Sequence, residues 1–108
     1  MQLTPELLEV MCQIGHERYP NEACGVVTER GKVIELQNIS SDPTRSYIVD
    51  ADEVREKLDT DLGVGEEFII WHTHPSGLVG PSKGDLECRV EGLRYGVVAI
   101  PTGEWKEF

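Results

Sequence analysis

The apolar residues of this chain follow two periods. Leu7, Met11 and Ile14 recur at helical spacing behind a start signal: Thr4 caps, Pro5 suits the first helical position, and Leu3 can staple to Leu8. The segment 15–20 ends that helix. Residues 24–29 and 32–38 then read as a hairpin around Arg30-Gly31, and 46–49 as a short strand. An acidic helix is expected over 52–62. Glu67-Phe68-Ile69-Ile70-Trp71 reads as a largely buried strand. Ser82 is placed as the cap of a helix running to Gly92, with Cys88 facing the core. A strand over 95–100, a turn at Pro101-Thr102-Gly103 and a last short strand close the chain. Strands flanked by helices predict one α/β layered domain over 1–108.

His72 and His74 end the buried strand. Side chains alternate faces in a strand, so the two imidazoles point the same way and Thr73 points opposite. Pro75-Ser76-Gly77 opens a loop, and Pro81-Ser82-Lys83-Gly84-Asp85 starts the next helix with Ser82 and Asp85 on one side of its first turn. Two histidines and one carboxylate leave a fourth position for water, as catalytic zinc sites do. Zinc lowers the pKa of such a water toward about 7. Glu22, in the short segment between the first helix and a buried strand, is the carboxylate placed to move protons. The Ser82 hydroxyl is placed to stabilise the oxyanion.

Taken singly, these features are bland. Ser82-x-x-Asp85 is a capping-box helix start found in any protein, the compatible role being to hold Asp85 rigid. A histidine pair on a strand is often structural, and Glu22 is one acid among twenty. His16-Glu17 invites the zincin helix motif, which fails because position 20 is proline. Cys24, Cys12 and Cys88 read as buried apolar residues, with Cys24 as a nucleophile the distant rival.

Together, Glu22, His72-Thr73-His74, seven intervening residues, Ser82 and Asp85 resemble the JAMM/MPN+ metallopeptidase motif over nearly the whole chain. The resemblance implies a cytidine-deaminase-like sandwich with a mixed sheet. It implies Zn²⁺ on His72, His74 and Asp85, Glu22 as general acid/base, and Ser82 as oxyanion donor. The segments 19–27, His72 to Pro75, Pro81 to Asp85 and 91–96 look most like the peptidase domain of lambda K-type phage tail-tip assembly proteins. Those proteins carry a second, cell-wall-hydrolase-like domain, for which 108 residues leave no room. Glu22-Ala23-Cys24-Gly25 also resembles bacterial peptidases that process a ubiquitin-like sulfur carrier, and Asn38, Pro43-Thr44 and Tyr47 fit both groups. A protein or peptide substrate is implied either way, with a non-enzymatic tail assembly module as the remaining alternative. Leu78 and Val79 are expected against the substrate's apolar side.

Composition narrows the setting. Three cysteines without a Cys-x-x-Cys pair argue against a disulfide framework and for a reducing cytoplasm, the host's if the gene is phage-borne. No signal peptide and no membrane span are expected. A net charge of −10 disfavours nucleic acid as a partner. The acids concentrated over 50–67 read as a solvated face.

Overall fold

The computed structural model describes residues 2–61 and 65–108, leaving aside the side chain of Asp61. The element order is α1 (Pro5–Arg18), β1 (Cys24–Thr28), β2 (Val33–Leu36), α2 (Ala51–Asp61), β3 (Phe68–His74), α3 (Lys83–Glu87), β4 (Arg94–Ala99) and β5 (Trp105–Glu107). The five strands form one mixed sheet in the order β2-β1-β3-β4-β5. Only β3 and β4 run parallel; α3 lies in the connection between them. This is the α/β layered sandwich expected from the alternation of periods. No helix among the described residues is long and apolar enough to cross a membrane.

The period-2 rule divides the sheet between two cores. Val27, Ile69, Trp71, Val98 and Ile100 pack with Met11 of α1, and Leu3, Leu7, Leu8 and Ile14 complete that layer. Cys24, Val26, Ile34 and Leu36 form the core of the other face, covered by Tyr47, Val49 and, from α2, Val54 and Leu58. β3 therefore sends Ile69 and Trp71 toward α1, while His72 pairs across the ladder with Cys24 on the opposite face. α1 starts as expected: Thr4 accepts a hydrogen bond from the Leu7 amide and Pro5 opens the helix.

Three expectations are corrected. Residues 46–49 form no ladder strand. They are tied down through Asn38: Ile48 donates its amide to Asn38 Oδ1 at 3.2 Å, and Asn38 Nδ2 donates to the Ser46 carbonyl at 3.0 Å. One backbone bond, from Ile39 N to Ile48 O, joins the segment to its neighbour. The helix after Ser82 stops at Glu87 instead of reaching Gly92. Cys88 ends it by donating to Gly84 O, and its side chain faces solvent, not the core. A five-residue helix holding Gly84 has little intrinsic stability beyond its cap, and Gly92 at φ +89° turns the chain toward β4. The acidic helix is present as α2; Leu62, its expected last residue, lies outside the described residues.

Gly25 is a close approach on which the site strand depends. It pairs with Trp71 across the ladder. A Cβ there would sit 2.1 Å from the Ile34 carbonyl oxygen and 2.8 Å from the Trp71 ring. Neither the backbone nor a fully buried indole can give way cheaply. Gly25→Ala is expected to lower stability by about 1–3 kcal/mol or more, read as the shift in a urea unfolding midpoint.

Candidate metal centre

β3 and the first turn of α3 bring three ligand-type side chains to one point. His72 and His74 share a face one pleat apart. Ser82 caps α3 with its hydroxyl accepting from the Asp85 amide at 3.1 Å, while the Asp85 carboxylate accepts from the Ser82 amide at 2.8 Å. This reciprocal capping box aims Asp85 at the histidines. Asp85 Oδ2 lies 3.1 Å from His72 Nε2 and 3.0 Å from His74 Nε2, and the two Nε2 atoms are 3.2 Å apart. The three residues form a group able to hold a metal ion.

Protons alone cannot satisfy this triangle. If both Nε2 atoms carry hydrogen toward Oδ2, two N–H groups face each other at 3.2 Å; if one does not, one edge goes unmade. A cation bound to all three atoms removes the conflict. The edges of 3.0–3.2 Å lie close to the roughly 3.3 Å edge of a tetrahedron with zinc-to-ligand bonds of about 2.0–2.1 Å. The outer nitrogens agree in part. His74 Nδ1 lies 3.2 Å from the Leu78 carbonyl, the bond that fixes the tautomer leaving Nε2 for a metal. His72 Nδ1 is buried without a hydrogen-bond partner. Its ring is instead clasped by aromatics: Tyr47 stacks on it at 4.5 Å and 26°, and Phe108 meets it edge-on at 6.0 Å.

The charge states suit a metal at two of the three positions. Burial pushes His72 below the usual imidazole value, favouring the neutral ring. Burial works the other way on Asp85, but hydrogen bonds to His72 and His74 outweigh it and hold the carboxyl well below its usual range. For His74, burial is outweighed by Asp85, and the ring is raised. A cation in the triangle takes the place of that proton.

Glu22 comes to the same place from β1. β1 pairs antiparallel with β3, Cys24 opposite His72. The pairing continues past β1: Thr73 N donates to Ala23 O, and Ala23 N donates to Thr73 Oγ1, each at 2.9 Å. One further step puts Glu22 across from His74. Its backbone is held on both sides, the amide donating to Pro43 O at 2.7 Å and the carbonyl accepting from Asn38 Nδ2 at 2.9 Å. Glu22 is only 5% exposed. Burial raises its carboxyl to about 7, with His74 opposing and Asp85 adding to the rise.

The structure thus brings together Glu22, His72, His74, Ser82 and Asp85 on one sheet face. Cys24 is buried and its thiol is pushed up to about 12, chiefly by burial, which removes it as a nucleophile at neutral pH. His16 is exposed, as expected. Leu78 and Val79 are exposed in the site loop, and Leu78 contributes a carbonyl to His74. Sequence reasoning gave no role to Asn38, which binds Glu22 and the 46–49 segment at once, or to Phe108. An asparagine hub carries no local pattern, and the Phe108–His72 contact spans 36 positions.

The family of prokaryotic homologs of the JAB domain matches residues 4–108. The chain belongs to that family. No curated protein matches it. Among solved structures, this prokaryotic JAB domain resembles a protein from Desulfitobacterium hafniense, with a TM-score of 0.75 at 23% identity, over 97% of this chain and 77% of that one. It also resembles a protein from Salinibacter ruber, with a TM-score of 0.55 at 27% identity, over 98% and 77%. The first likeness bears on fold alone, and agrees with the α/β sandwich and its mixed sheet.

Two outcomes are expected of this JAB domain. Tyr47→Ala removes the ring stacked on His72 and weakens zinc binding by about tenfold in a competitive chelator titration, while Tyr47→Phe retains it. In metal-free protein, Glu22 has a folded-state pKa near 7 against an ordinary value of 4.5. The native state then holds the extra proton between those values, so stability falls as pH rises through that window. Glu22→Gln lacks this dependence. Relative to wild type it is stabilised at pH 8 compared with pH 4.5, by on the order of 3 kcal/mol in urea unfolding.

Proposed function

We propose that this JAB domain is a zinc-dependent hydrolase of amide bonds, a peptidase or isopeptidase. The observation that supports the reading most is the buried, proton-accepting Glu22 opposite a two-histidine, one-aspartate donor triangle. His72, His74 and Asp85 would hold the ion, which supplies Lewis acidity toward a carbonyl and acidifies water.

The chain's own groups do the rest. Glu22, ionised, takes a proton from the attacking water as the carbon–oxygen bond forms. Ser82 accepts from the Asp85 amide, and its own hydroxyl hydrogen is uncommitted among the described residues, so it can donate to the developing oxyanion. Glu22 then returns the proton to the departing nitrogen as the carbon–nitrogen bond breaks. A carboxyl pKa near 7 suits a group that must both accept and release a proton near neutral pH, and a neighbouring cation draws it lower.

Within this chemistry we place the protein with the phage tail-tip peptidases, on the resemblance of segments 19–27 and 91–96. Glu22-Ala23-Cys24-Gly25 supports a second reading, removal of a residue or tail from a ubiquitin-like sulfur carrier. Incubating the zinc-loaded protein with neighbouring tail proteins and with such a carrier, followed by intact-mass measurement, separates the two. Zinc bound without cleavage of either would favour an assembly module.

On a cleaved substrate, Glu22→Gln is expected to lower kcat by about 10²–10⁴-fold with zinc still bound. Wild-type turnover falls as pH drops below the Glu22 pKa, because the base becomes protonated. Full turnover in Glu22→Gln would refute the acid/base assignment.

A further inference from the structure

Two cavities of similar size adjoin the site, one at Ser82 and Asp85 and one at Glu22, and their chemistry differs. The first, about 410 Å³, reaches Ser82 and Asp85 and is walled by Tyr47, Ile48, Val49, Ile70, Cys88 and Tyr95. Its walls are mostly aliphatic and aromatic, with Arg45 and Ser46 adding polar lining, and Tyr47 also belongs to the cluster over His72. The second, about 400 Å³, reaches Glu22 and carries Glu35, Glu53, Asn21, Gln37 and Asn38. Arg18 is the cation in its lining, and Glu35 holds it through two bonds, Nε to Oε2 at 2.6 Å and Nη2 to Oε1 at 3.0 Å. Glu35 and Arg18 therefore cancel, and Glu53, which accepts from the Gln37 amide at 2.9 Å, leaves the lining acidic. Glu22 is a second observation independent of that acidity. It is buried, lines this cavity, and its carboxylate has no hydrogen-bond or ion-pair partner among the described residues.

The cavities differ in position relative to the reaction as well. Ser82 serves the carbonyl oxygen, so the residue that owns the carbonyl extends into the cavity Ser82 lines. Glu22 serves the nitrogen, so the amine half extends into the cavity Glu22 lines. We propose that the site reads its substrate in two halves. The apolar cavity takes a bulky aliphatic side chain on the acyl side of the amide, and the acidic cavity takes a cationic amine side, such as a lysine chain. The proposal rests on the hydrolase reading for which half goes where. The volumes fall in the range of small-ligand sites. A peptide with a small residue before the scissile bond leaves the apolar cavity unfilled, and an acidic amine half meets like charge in the other.

The test is amide chemical-shift mapping of the full chain with three probes: N-acetyl-L-leucinamide, N-acetylglycinamide and protonated n-butylamine. Leucinamide is expected to shift Ile48, Val49, Cys88 and Tyr95 and to bind about tenfold tighter than glycinamide, the worth of a few methyl groups in a fitted pocket. Butylammonium is expected to shift Asn21, Gln37 and Asn38 instead, with severalfold weaker binding in Glu53→Gln. Cys88→Phe narrows the apolar cavity from an exposed position and is expected to abolish the leucinamide shifts. The proposal is overturned if leucinamide binds no tighter than glycinamide, if its shifts fall on Leu86, Val90 and Leu93, or if the probes do not separate between the cavities. These are equilibrium readouts that need no turnover. The expected separation without any hydrolysis would keep the two-part groove and retire the hydrolase reading; hydrolysis without separation would do the reverse.

Discussion

The pairing of β1 on β3 is the constraint from which the site follows. Cys24 opposite His72 fixes the register, and two steps along the same ladder Glu22 stands across from His74. A slip of one residue would send either Glu22 to the α1 face or the histidines into the Trp71 core. The slip is resisted on the α1 face of the sheet. Trp71 lies over Gly25, where no side chain fits, and Thr73 doubles its backbone bond to Ala23 with a hydroxyl bond. The apolar packing on one face thereby sets the placement of titratable groups on the other.

The same economy holds at Asp85. One carboxylate completes the capping box of α3 and lies at hydrogen-bond distance from both imidazoles. The short helix has little else to stabilise it, so the cap that starts α3 is also what points the third ligand at the centre. A capping role and a candidate metal-ligand position are here served by one rotamer. Electrostatics then separate the carboxylates. Asp85, bonded to two imidazoles and an amide, is held ionised; Glu22, buried without a partner, is pushed up toward neutrality. Two acids that both act on His74 thus take opposite charge tendencies from their surroundings.

The parts of this arrangement readable in the sequence obey local rules. Alternation along 68–74 puts His72 and His74 on one face, and the three-residue step from Ser82 to Asp85 is a helix-start signature. The spacing between them carries the family pattern. The parts that were not readable depend on partners distant in sequence. Asn38 draws residues 46–49 out of ladder geometry by bonding Ile48 and Ser46 while also holding Glu22. Cys88 faces solvent because α3 ends one turn after its cap, and apolar periodicity beyond Glu87 gave no sign of that. The clasp of Tyr47 and Phe108 on His72 substitutes ring packing for the hydrogen bond its Nδ1 lacks, and no spacing rule announces it.

The central claim is that His72, His74 and Asp85 hold one zinc ion. Its most direct test is zinc content per chain in purified protein, after reconstitution and removal of loosely held metal, beside a His72→Ala/His74→Ala variant. The account predicts one zinc per chain in the native protein and none in the variant. A native protein that binds no zinc, or a variant that binds as much, would contradict it.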